Sequence, residues 1–223
     1  SRALTLLAYG LGSLAFPYSG VLYGHQPTAV LLFGTFFFLR GRRTRPLPGM
    51  LAAFFAGLCL ATEYQSAVYL APLAALYLVR VRPLGWGILA GIGGLVLPLG
   101  ALALYHQAAF GGVFSTCYSF LSNDFFSSVY SQGFMGISTP RLTPLVGSLF
   151  LPSKGLFVFS PFFILGFLGL VLYGRAAGGW RPGLFRVLQV FLPIAFVMSM
   201  VYWDGGWTVG QRHLTPMMPF LVA

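Results

Sequence analysis

The stretch AGLCLATEYQSAVYL, residues 56–70, decides how this chain folds, because it interrupts an apolar region that extends from 47 to 79. As one helix, that region would be about 50 Å long, well beyond the roughly 30 Å hydrocarbon core of a membrane. Broken at Glu63-Tyr64-Gln65, the same region forms two short helices. We predict this break, with helices over 47–62 and 66–79.

The composition is typical of a membrane protein. The 223 residues are 57% hydrophobic and only 7% charged, and the mean hydropathy is +0.83. A soluble domain carries about a quarter charged residues. The net charge of +10 would fit nucleic acid, but cations that cluster in short loops beside apolar runs follow the positive-inside rule instead. We expect the lipid bilayer as a partner, and no nucleic acid.

Apolar runs recur along the whole chain and predict an all-α fold, a polytopic transmembrane helical bundle of about seven to eight membrane helices. We expect a single transmembrane domain, 1–223, with a long outer loop at 107–154 that carries short interfacial helices. Because the last run stops after about ten residues and Ser1 begins no signal pattern, we interpret the chain as an internal fragment. The predicted spans are 3–17, 27–39, 47–62, 66–79, 84–105, 155–174, 187–203 and the truncated 213–223.

With the break at Glu63, the charged residues separate onto two sides of the membrane. One side receives ten of the thirteen cations, and the positive-inside rule makes it cytoplasmic: Arg2, Arg40, Arg42, Arg43, Arg45, Arg80, Arg82, Arg175, Arg181 and Arg186. The outer side receives every acid and every histidine, together with the remaining cations: Glu63, Asp124, Asp204, His25, His106, His213, Arg141, Lys154 and Arg212. The outer face therefore carries the acids and histidines from which a functional site would be built.

The three outer cations, Arg141, Lys154 and Arg212, run against the positive-inside bias. A cation at a helix start opposes the helix dipole, so helix stability does not explain Lys154 or Arg212. A bound phosphate does, since helix N-termini and cations together favour anions. The alternative is that these side chains extend to lipid headgroups. For His25 and Glu63, a structural role near the start of a helix explains their presence as well as a functional role does.

The closing stretch WDGGWTVGQRHLTP, 203–216, concentrates the outer chemistry. We predict that Gly205, Gly206 and Gly210 form a tight turn between two helices, which aims Arg212 at a phosphate shared with Lys154. Trp203 and Trp207 would anchor the turn at the membrane interface, and Asp204 would orient Arg212 or contact a sugar. The sequence has no P-loop, GxSxG or HExxH motif and no zinc-ligand spacing. No metal site is predicted; the cofactor stays open, and a divalent metal is not indicated.

Four stretches resemble, in this order, segments of bacterial GT-C glycosyltransferases, the relatives of protein mannosyltransferases and aminoarabinose transferases that use polyprenyl-phosphate sugars. The resemblance covers most of the chain, and its most specific part is aromatic-Gly-Gly-Trp followed by Gly-x-Arg-x-Leu-x-Pro. The stretches are FPYSGVLYGHQPTAVLLFGTFFFL (16–39), AGLCLATEYQSAVYLAPLAALYLV (56–79), LPSKGLFVFSPFFIL (151–165) and WDGGWTVGQRHLTPMMPF (203–220).

The resemblance implies a membrane enzyme that transfers a sugar from a polyprenyl-phosphate donor on the outer, periplasmic or extracellular face of the bacterial cytoplasmic (inner) membrane. Cations would stabilise the departing phosphate, and a base would activate the acceptor. In such enzymes the base is usually an acid after the first span, a loop that we expect upstream of Ser1. Within the chain, the candidate catalytic residues are Glu63, Asp204 and His25. The candidate phosphate-binding residues are Lys154, Arg212, Arg141, His213, Tyr64 and Gln211.

Two further functions stay open. A truncated transferase-like fold would also serve as a non-catalytic structural subunit, with other proteins of a membrane complex as partners. A secondary transporter is the third alternative, but transporters place ionisable groups near the middle of the membrane, whereas here every charge falls at the edge of an apolar run. The sequence does not give the sugar, the acceptor or the oligomeric state.

Overall fold

The computed structural model describes residues 2–40, 45–176 and 180–222. This part of the chain contains helices and no strand, and an isolated bridge joins Phe134 to Ile137. The all-α prediction is thus confirmed for the described residues. Arg42 and Arg43, and the side chains of Arg2, Arg175 and Arg181, were assigned to the cytoplasmic side by sequence and lie outside what the structure describes.

The helices follow the apolar runs closely in the first half of the chain. In chain order they are α1 (Arg2–Gly12), α2 (Ala15–Ser19), α3 (His25–Leu39), α4 (Pro46–Thr62), α5 (Ser66–Arg80), α6 (Leu84–Phe110), α7 (Asp124–Tyr130), α8 (Leu142–Phe150), α9 (Leu156–Phe159), α10 (Phe163–Ala176), α11 (Trp180–Ser199) and α12 (Met218–Val222). Short 3-10 helices cover Cys117–Phe120 and Arg212–Met217.

The chain divides into two compact units. Unit 1 comprises Ser1–Val30 and Thr139–Ala223, and unit 2 comprises Leu31–Ser138. Unit 1 holds the closing motif and Lys154, whereas unit 2 holds Glu63, Tyr64 and His106.

The predicted break between α4 and α5 is confirmed. Glu63 follows the last residue of α4 in an extended conformation, with φ −150° and ψ 121°, and its N–H donates to the carbonyl of Cys59. This extended residue ends the helix, because a helix continues only with φ and ψ near −63° and −42°. A turn at Tyr64-Gln65 then leads into α5.

Unit 2 is built around the packing of α4 against α6. Gly57 and Gly94 are the contact points: a side chain on Gly57 would collide with Pro98, and one on Gly94 would collide with the backbone of Met50. Small residues at such positions let two helix backbones approach closely, which is the usual way helices associate in an apolar environment.

The two ends of unit 2 differ in charge. At one end α3 and α5 terminate together, since Nη1 of Arg80 donates to the carbonyl of Leu39 at 2.5 Å. At the other end Tyr64, which follows α4, bonds to His106 near the end of α6. Within unit 2, Arg40 and Arg80 therefore lie opposite Glu63 and His106, as the charge sorting predicted.

Two predicted runs in unit 1 are not continuous helices. The run 3–17 is interrupted at Ser13, whose hydroxyl donates to the Tyr9 carbonyl and accepts from the N–H of Ala15. The run 155–174 is interrupted at Ser160-Pro161, where Ser160 has φ −148° and proline has no N–H to donate. The sequence-based boundaries are wrong at both places, because the apolar pattern continues through such a local turn without a break.

The long stretch 107–154 contains only short helices beyond the end of α6, as predicted: Cys117–Phe120, α7 and α8. Asn123 caps α7 by accepting from the N–H groups of Phe125 and Phe126. On α8, Pro144, Gly147 and Ser148 are buried, while the large apolar residues Leu142, Val146 and Phe150 are exposed.

Helix length supports fewer spans than the sequence predicted. In the described part of the chain, α6 alone, with 27 residues, is long and apolar enough to cross a membrane by length and composition. The other apolar helical segments, among them Leu184–Ser199 of α11, have 10–17 residues, or roughly 15–26 Å at 1.5 Å per residue. The expectation of seven to eight spans is therefore not supported by helix length.

Candidate anion-binding site

The loop after α11 turns through three glycines, as predicted. Gly205, Gly206 and Gly210 have φ values of 64°, 68° and 56°, a left-handed conformation that glycine adopts at no steric cost. At Gly205 the backbone also passes close to the site, since a Cβ there would lie 2.8 Å from Nε of Arg212 and 3.3 Å from Nε2 of His213. The turn thus brings the loop against Arg212 and His213.

Lys154 fastens this loop from the segment before α9. The side chain is buried, with 8% of its surface exposed. Its ammonium donates to the carbonyls of Gly206 and Thr208 and to the Thr208 hydroxyl, the last two at 2.9 and 3.2 Å. Because an ammonium has three N–H groups, these contacts engage all of them. Lys154 was predicted from the sequence to bind the phosphate itself, whereas in the structure its ammonium binds the loop.

The charges around Lys154 act in opposite directions. Burial lowers the pKa of Lys154 below its usual 10.5, the half-buried Asp204 carboxylate raises it again, and the Arg212 guanidinium lowers it further. Asp204, predicted to orient Arg212 or contact a sugar, is therefore close enough to stabilise the charge of Lys154. Lys154 and Arg212 in turn repel each other, and an anion beside Arg212 would relieve that repulsion.

Arg212 is the cation of this site with an unused donor. Its guanidinium carbon lies 4.9 Å from the ring centroid of Tyr23, within the range of a cation–π contact. Its Nε is buried and has no hydrogen-bond partner. A buried N–H without an acceptor costs about 1–3 kcal/mol, so this atom favours a ligand that supplies an oxygen.

Aromatic rings line the same place. The Tyr23 ring stacks on His25 at 6.2 Å with an interplanar angle of 12°, and His25 meets His213 edge-on at 5.1 Å. Both histidines are 5% exposed. His25 and His213 were separate candidates in the sequence, and the structure brings them together with Arg212. We call Tyr23, His25, Gly205, Arg212 and His213 the Arg212 site.

Two of the candidate phosphate-binding residues, Gln211 and Arg141, bond to other parts of the protein. Gln211 is fully buried; its amide nitrogen donates to the Ser148 hydroxyl at 2.8 Å and the Trp203 carbonyl at 2.9 Å, and its amide oxygen accepts from the N–H of His213. Gln211 therefore holds the loop closed. Arg141 is exposed, and its guanidinium donates to the carbonyl of Met200 at 2.7 Å, which ties the start of α8 to the end of α11.

The predicted tryptophan anchors have different environments. The Trp203 ring packs on Gly147 of α8, where a side chain would collide with it, and it belongs to the edge of the unit 1 core. Trp207 is fully exposed at the tip of the glycine loop. Trp207 alone of the pair is thus placed to contact an interface.

Glu63 and Tyr64 belong to unit 2. The Tyr64 hydroxyl bonds to His106, and the Glu63 carboxylate accepts from the Gln65 amide at 3.1 Å. In the described part of the chain, no three His, Cys, Asp or Glu side chains come together in a way that could hold a metal ion.

Tyr23 and Thr208 were not predicted from the sequence as residues of the site. Tyr23 lies two residues before His25, and its position in an aromatic-rich turn was the available sign of a ring near the histidine. Thr208 lies within the quoted closing motif, but its contact with Lys154 spans 54 residues of sequence, and no pattern in the sequence predicts it.

Comparisons with known proteins add no identification. Searches against family models, curated proteins and solved structures give no match.

Proposed function

We propose that this chain belongs to a multi-pass membrane glycosyltransferase of the GT-C type, which binds a polyprenyl-phosphate sugar on the outer face of the bacterial cytoplasmic membrane and transfers the sugar to an acceptor. The observation that carries the proposal is the buried Nε of Arg212, which has no hydrogen-bond partner. The order of the four family-like stretches supports the choice of donor.

The surface of α6 supports a membrane location. Large apolar side chains are exposed along its length, among them Leu89 (60%), Val96 (63%) and Leu104 (73%). Monomeric soluble proteins rarely leave so long an apolar surface open to water, whereas lipid covers it without cost. Helices shorter than the hydrocarbon core fit a bilayer that thins locally around them, or lie within the protein away from lipid.

The Arg212 site supports the phosphate end of the donor. A guanidinium binds phosphate oxygens through two parallel N–H groups, and Nε is one of the atoms that form such a pair. Lys154 adds a second positive charge nearby while its N–H groups hold the loop. As the glycosidic bond breaks, negative charge builds on the departing phosphate, and fixed cations stabilise that charge most in a site shielded from water.

The glycine turn would fit the same ligand. Gly205 leaves open the space where a side chain would meet Arg212 and His213. Tyr23 and His25 offer ring faces and edges against which a sugar or prenyl group packs. The Arg212 site would thus bind the donor, and a separate base would activate the acceptor.

The test compares Arg212→Ala and Arg212→Lys with Arg141→Ala in the full-length protein. Binding and turnover of a polyprenyl-phosphate sugar are measured for each. Losing the contact of Arg212 should cost about 1.5–3 kcal/mol, or roughly ten- to a hundredfold in donor affinity. Arg212→Lys should recover only part, because lysine lacks the planar fork. Arg141→Ala, which removes an exposed arginine bonded to Met200, should leave donor affinity within about twofold.

Unchanged donor binding in both Arg212 variants would overturn the phosphate assignment. Donor binding that depends on Arg212, with no transfer to any acceptor by the full-length protein, would instead favour the non-catalytic subunit.

A further inference from the structure

Unit 2 contains an apolar cavity of about 240 Å³ that the proposed function does not use. It lies among α3, α4, α5 and α6, with Leu39, Ala53, Ala56, Leu73, Ala74 and Leu95 in its wall. An apolar cavity of about 150 Å³ is already large enough to stay dry and bind benzene. The cavity is therefore suited to a hydrocarbon group.

The two hydroxyl groups in the cavity wall are already engaged. The Tyr77 hydroxyl donates to the carbonyl of Gly87 at 2.6 Å, and the Thr35 hydroxyl donates to the carbonyl of Leu31 at 2.9 Å. A ligand with its own polar groups would therefore find no free donor among these hydroxyls. The lining selects an alkyl chain.

One end of the cavity wall lies next in sequence to the four described arginines of unit 2, which we call the arginine end: Arg40, Arg45, Arg80 and Arg82. Leu39 and Leu78 in the cavity wall precede Arg40 and Arg80 by one and two residues. The N-termini of α4 and α6 are at the same end, because a Cβ on Gly49 would lie 3.1 Å from the Tyr77 hydroxyl, which itself bonds to Gly87.

The arginine end receives no carboxylate from its own unit. The acids of unit 2 are Glu63 and Asp124. Glu63 follows the far end of α4. Asp124 begins α7, whose Tyr130 packs on Tyr118, and Tyr118 in turn packs on Tyr64 beside Glu63. Both acids thus lie at the opposite end, so the positive charge of these arginines is available to an external anion.

These four arginines also have N–H donors left with which to bind an anion. Arg40 and Arg45 are exposed, and the guanidinium of Arg40 lies 4.1 Å from the Phe37 ring. Arg80 uses one nitrogen on the Leu39 carbonyl, and Arg82 uses one on the Val81 carbonyl. Each guanidinium has five N–H groups, so donors remain on all four.

We propose that unit 2 binds one anionic glycerophospholipid, with an acyl chain in the cavity and its phosphate at the arginine end. Ala56 and Leu70 each lie ten residues from the arginine-end termini of their helices, α4 and α5. At 1.5 Å per residue the cavity therefore reaches about 15 Å from the arginines, which suits a chain that enters past Leu39 and Leu78. The site rests on the proposed membrane location, but it is separate from the Arg212 site and takes no sugar.

The test is native mass spectrometry of the full-length protein, purified in detergent and supplied with phosphatidylglycerol or phosphatidylcholine of the same acyl chains. We expect one phosphatidylglycerol to be retained at least tenfold more strongly than phosphatidylcholine. Ala74→Phe, at the cavity wall, should reduce retention of both lipids about tenfold. Ala75→Phe, the adjacent exposed residue outside the wall, is the matched control and should retain both.

The headgroup is tested by Arg40→Gln combined with Arg45→Gln, which should abolish the preference for phosphatidylglycerol and leave phosphatidylcholine retention unchanged. A series of phosphatidylglycerols with shortened acyl chains tests the cavity without any variant, and retention should fall as the chains shorten. Equal retention of the two lipids by the unaltered protein, or no dependence on chain length, would overturn the proposal. Displacement of phosphatidylglycerol by a tenfold lower concentration of polyprenyl phosphate would overturn the assignment to a phospholipid.

Arg212→Ala separates this proposal from the proposed function, because it should weaken donor binding roughly ten- to a hundredfold without changing lipid retention. Failure of lipid retention alone therefore leaves the transferase proposal intact, and failure of donor binding alone leaves the lipid site intact.

Discussion

The Tyr64 hydroxyl lies 2.7 Å from Nε2 of His106, and the other ring nitrogen of His106 lies 3.0 Å from the carbonyl oxygen of Val113. A carbonyl only accepts, so Nδ1 of His106 donates to Val113, and in the neutral imidazole Nε2 is then the acceptor. Tyr64 is then the donor, and burial raises its pKa, which keeps the hydroxyl protonated. The pair fastens the turn after α4 to α6.

Removing this hydroxyl should destabilise unit 2. Tyr64→Phe leaves Nε2 of His106 without its partner, which should lower the free energy of unfolding by about 1 kcal/mol. Denaturant unfolding in detergent, followed by circular dichroism, measures the change. Tyr105→Phe is the control, since Tyr105 is 59% exposed beside His106. Equal stability of Tyr64→Phe and the unaltered protein would contradict the role of the bond.

Gly205→Ala should damage the Arg212 site. The new methyl group would meet Nε of Arg212 at 2.8 Å, and φ of 64° is unfavourable for alanine by about 1–2 kcal/mol. Donor affinity should fall at least tenfold, alongside a loss of stability. Gly100→Ala is the control, because nothing lies within 4 Å of that position in α6, and it should be neutral or stabilising. Unaltered donor affinity in Gly205→Ala would show that the donor binds elsewhere.

Because donor binding should depend on the charge of Lys154, donor affinity should decrease at alkaline pH. Its pKa is below the usual 10.5, so in the free protein the charge is lost as pH rises through that lowered value. Donor affinity should therefore decline before pH 10.5 is reached. Lys154→Arg should abolish the decline, because arginine stays charged throughout. Affinity that is independent of pH between 7 and 10.5 in the unaltered protein would contradict this prediction.

The same lowered pKa has the opposite effect on stability. Since the folded protein holds the Lys154 proton less tightly than the unfolded chain does, stability should rise with pH through the window below 10.5. Thermal unfolding of the donor-free protein across that window, compared with Lys154→Met, measures the contribution. The dependence should be absent from Lys154→Met, and a decrease in stability with rising pH that is specific to the lysine would contradict the assignment.

The two sides of the membrane are testable with cysteines already in the chain. Cys117 is exposed and Cys59 is buried, so a membrane-impermeant maleimide added to intact spheroplasts should label Cys117 from outside. A cysteine placed at Arg82 in a Cys117→Ser background should be labelled only after permeabilisation. The loops with Arg40–Arg45 and Arg175–Arg186 should behave like Arg82. Labelling of Cys117 and Arg82→Cys from the same side would refute the charge sorting.

The sequence predicted those features of the fold that depend on local chemistry. Glu63-Tyr64-Gln65 is a polar group between apolar helices, and the three glycines of the closing motif are the residues that a left-handed turn requires. The breaks at Ser13 and Ser160 escaped prediction, because single serines within apolar runs are compatible with a helix until a partner elsewhere satisfies them. Ser160 has such a partner in the N–H of Leu14, 146 residues away in sequence.

For the candidate site, the sequence predicted which residues take part better than it predicted what each of them does. His25 and His213 stood out because histidine is rare in this chain, and Arg212 because it runs against the positive-inside bias; the structure brings the three together. The role of Lys154 depends on two backbone carbonyls, which every residue possesses and no sequence pattern marks. Gln211 likewise is held by a carbonyl and by Ser148. Contacts between side chains and distant backbone are where prediction from sequence ended.

The bond between Lys154 and the glycine loop also sets an order of assembly during synthesis. Lys154 leaves the ribosome 52 residues before Gly206 and 54 before Thr208, and domains form as the chain emerges from its N-terminal end. Until the loop arrives, the ammonium has none of its final acceptors and must stay in water, so the segment at Lys154 cannot settle into its buried position. The Arg212 site is therefore completed only after the glycine loop has been translated, and a ribosome paused before residue 206 would hold the nascent chain without it.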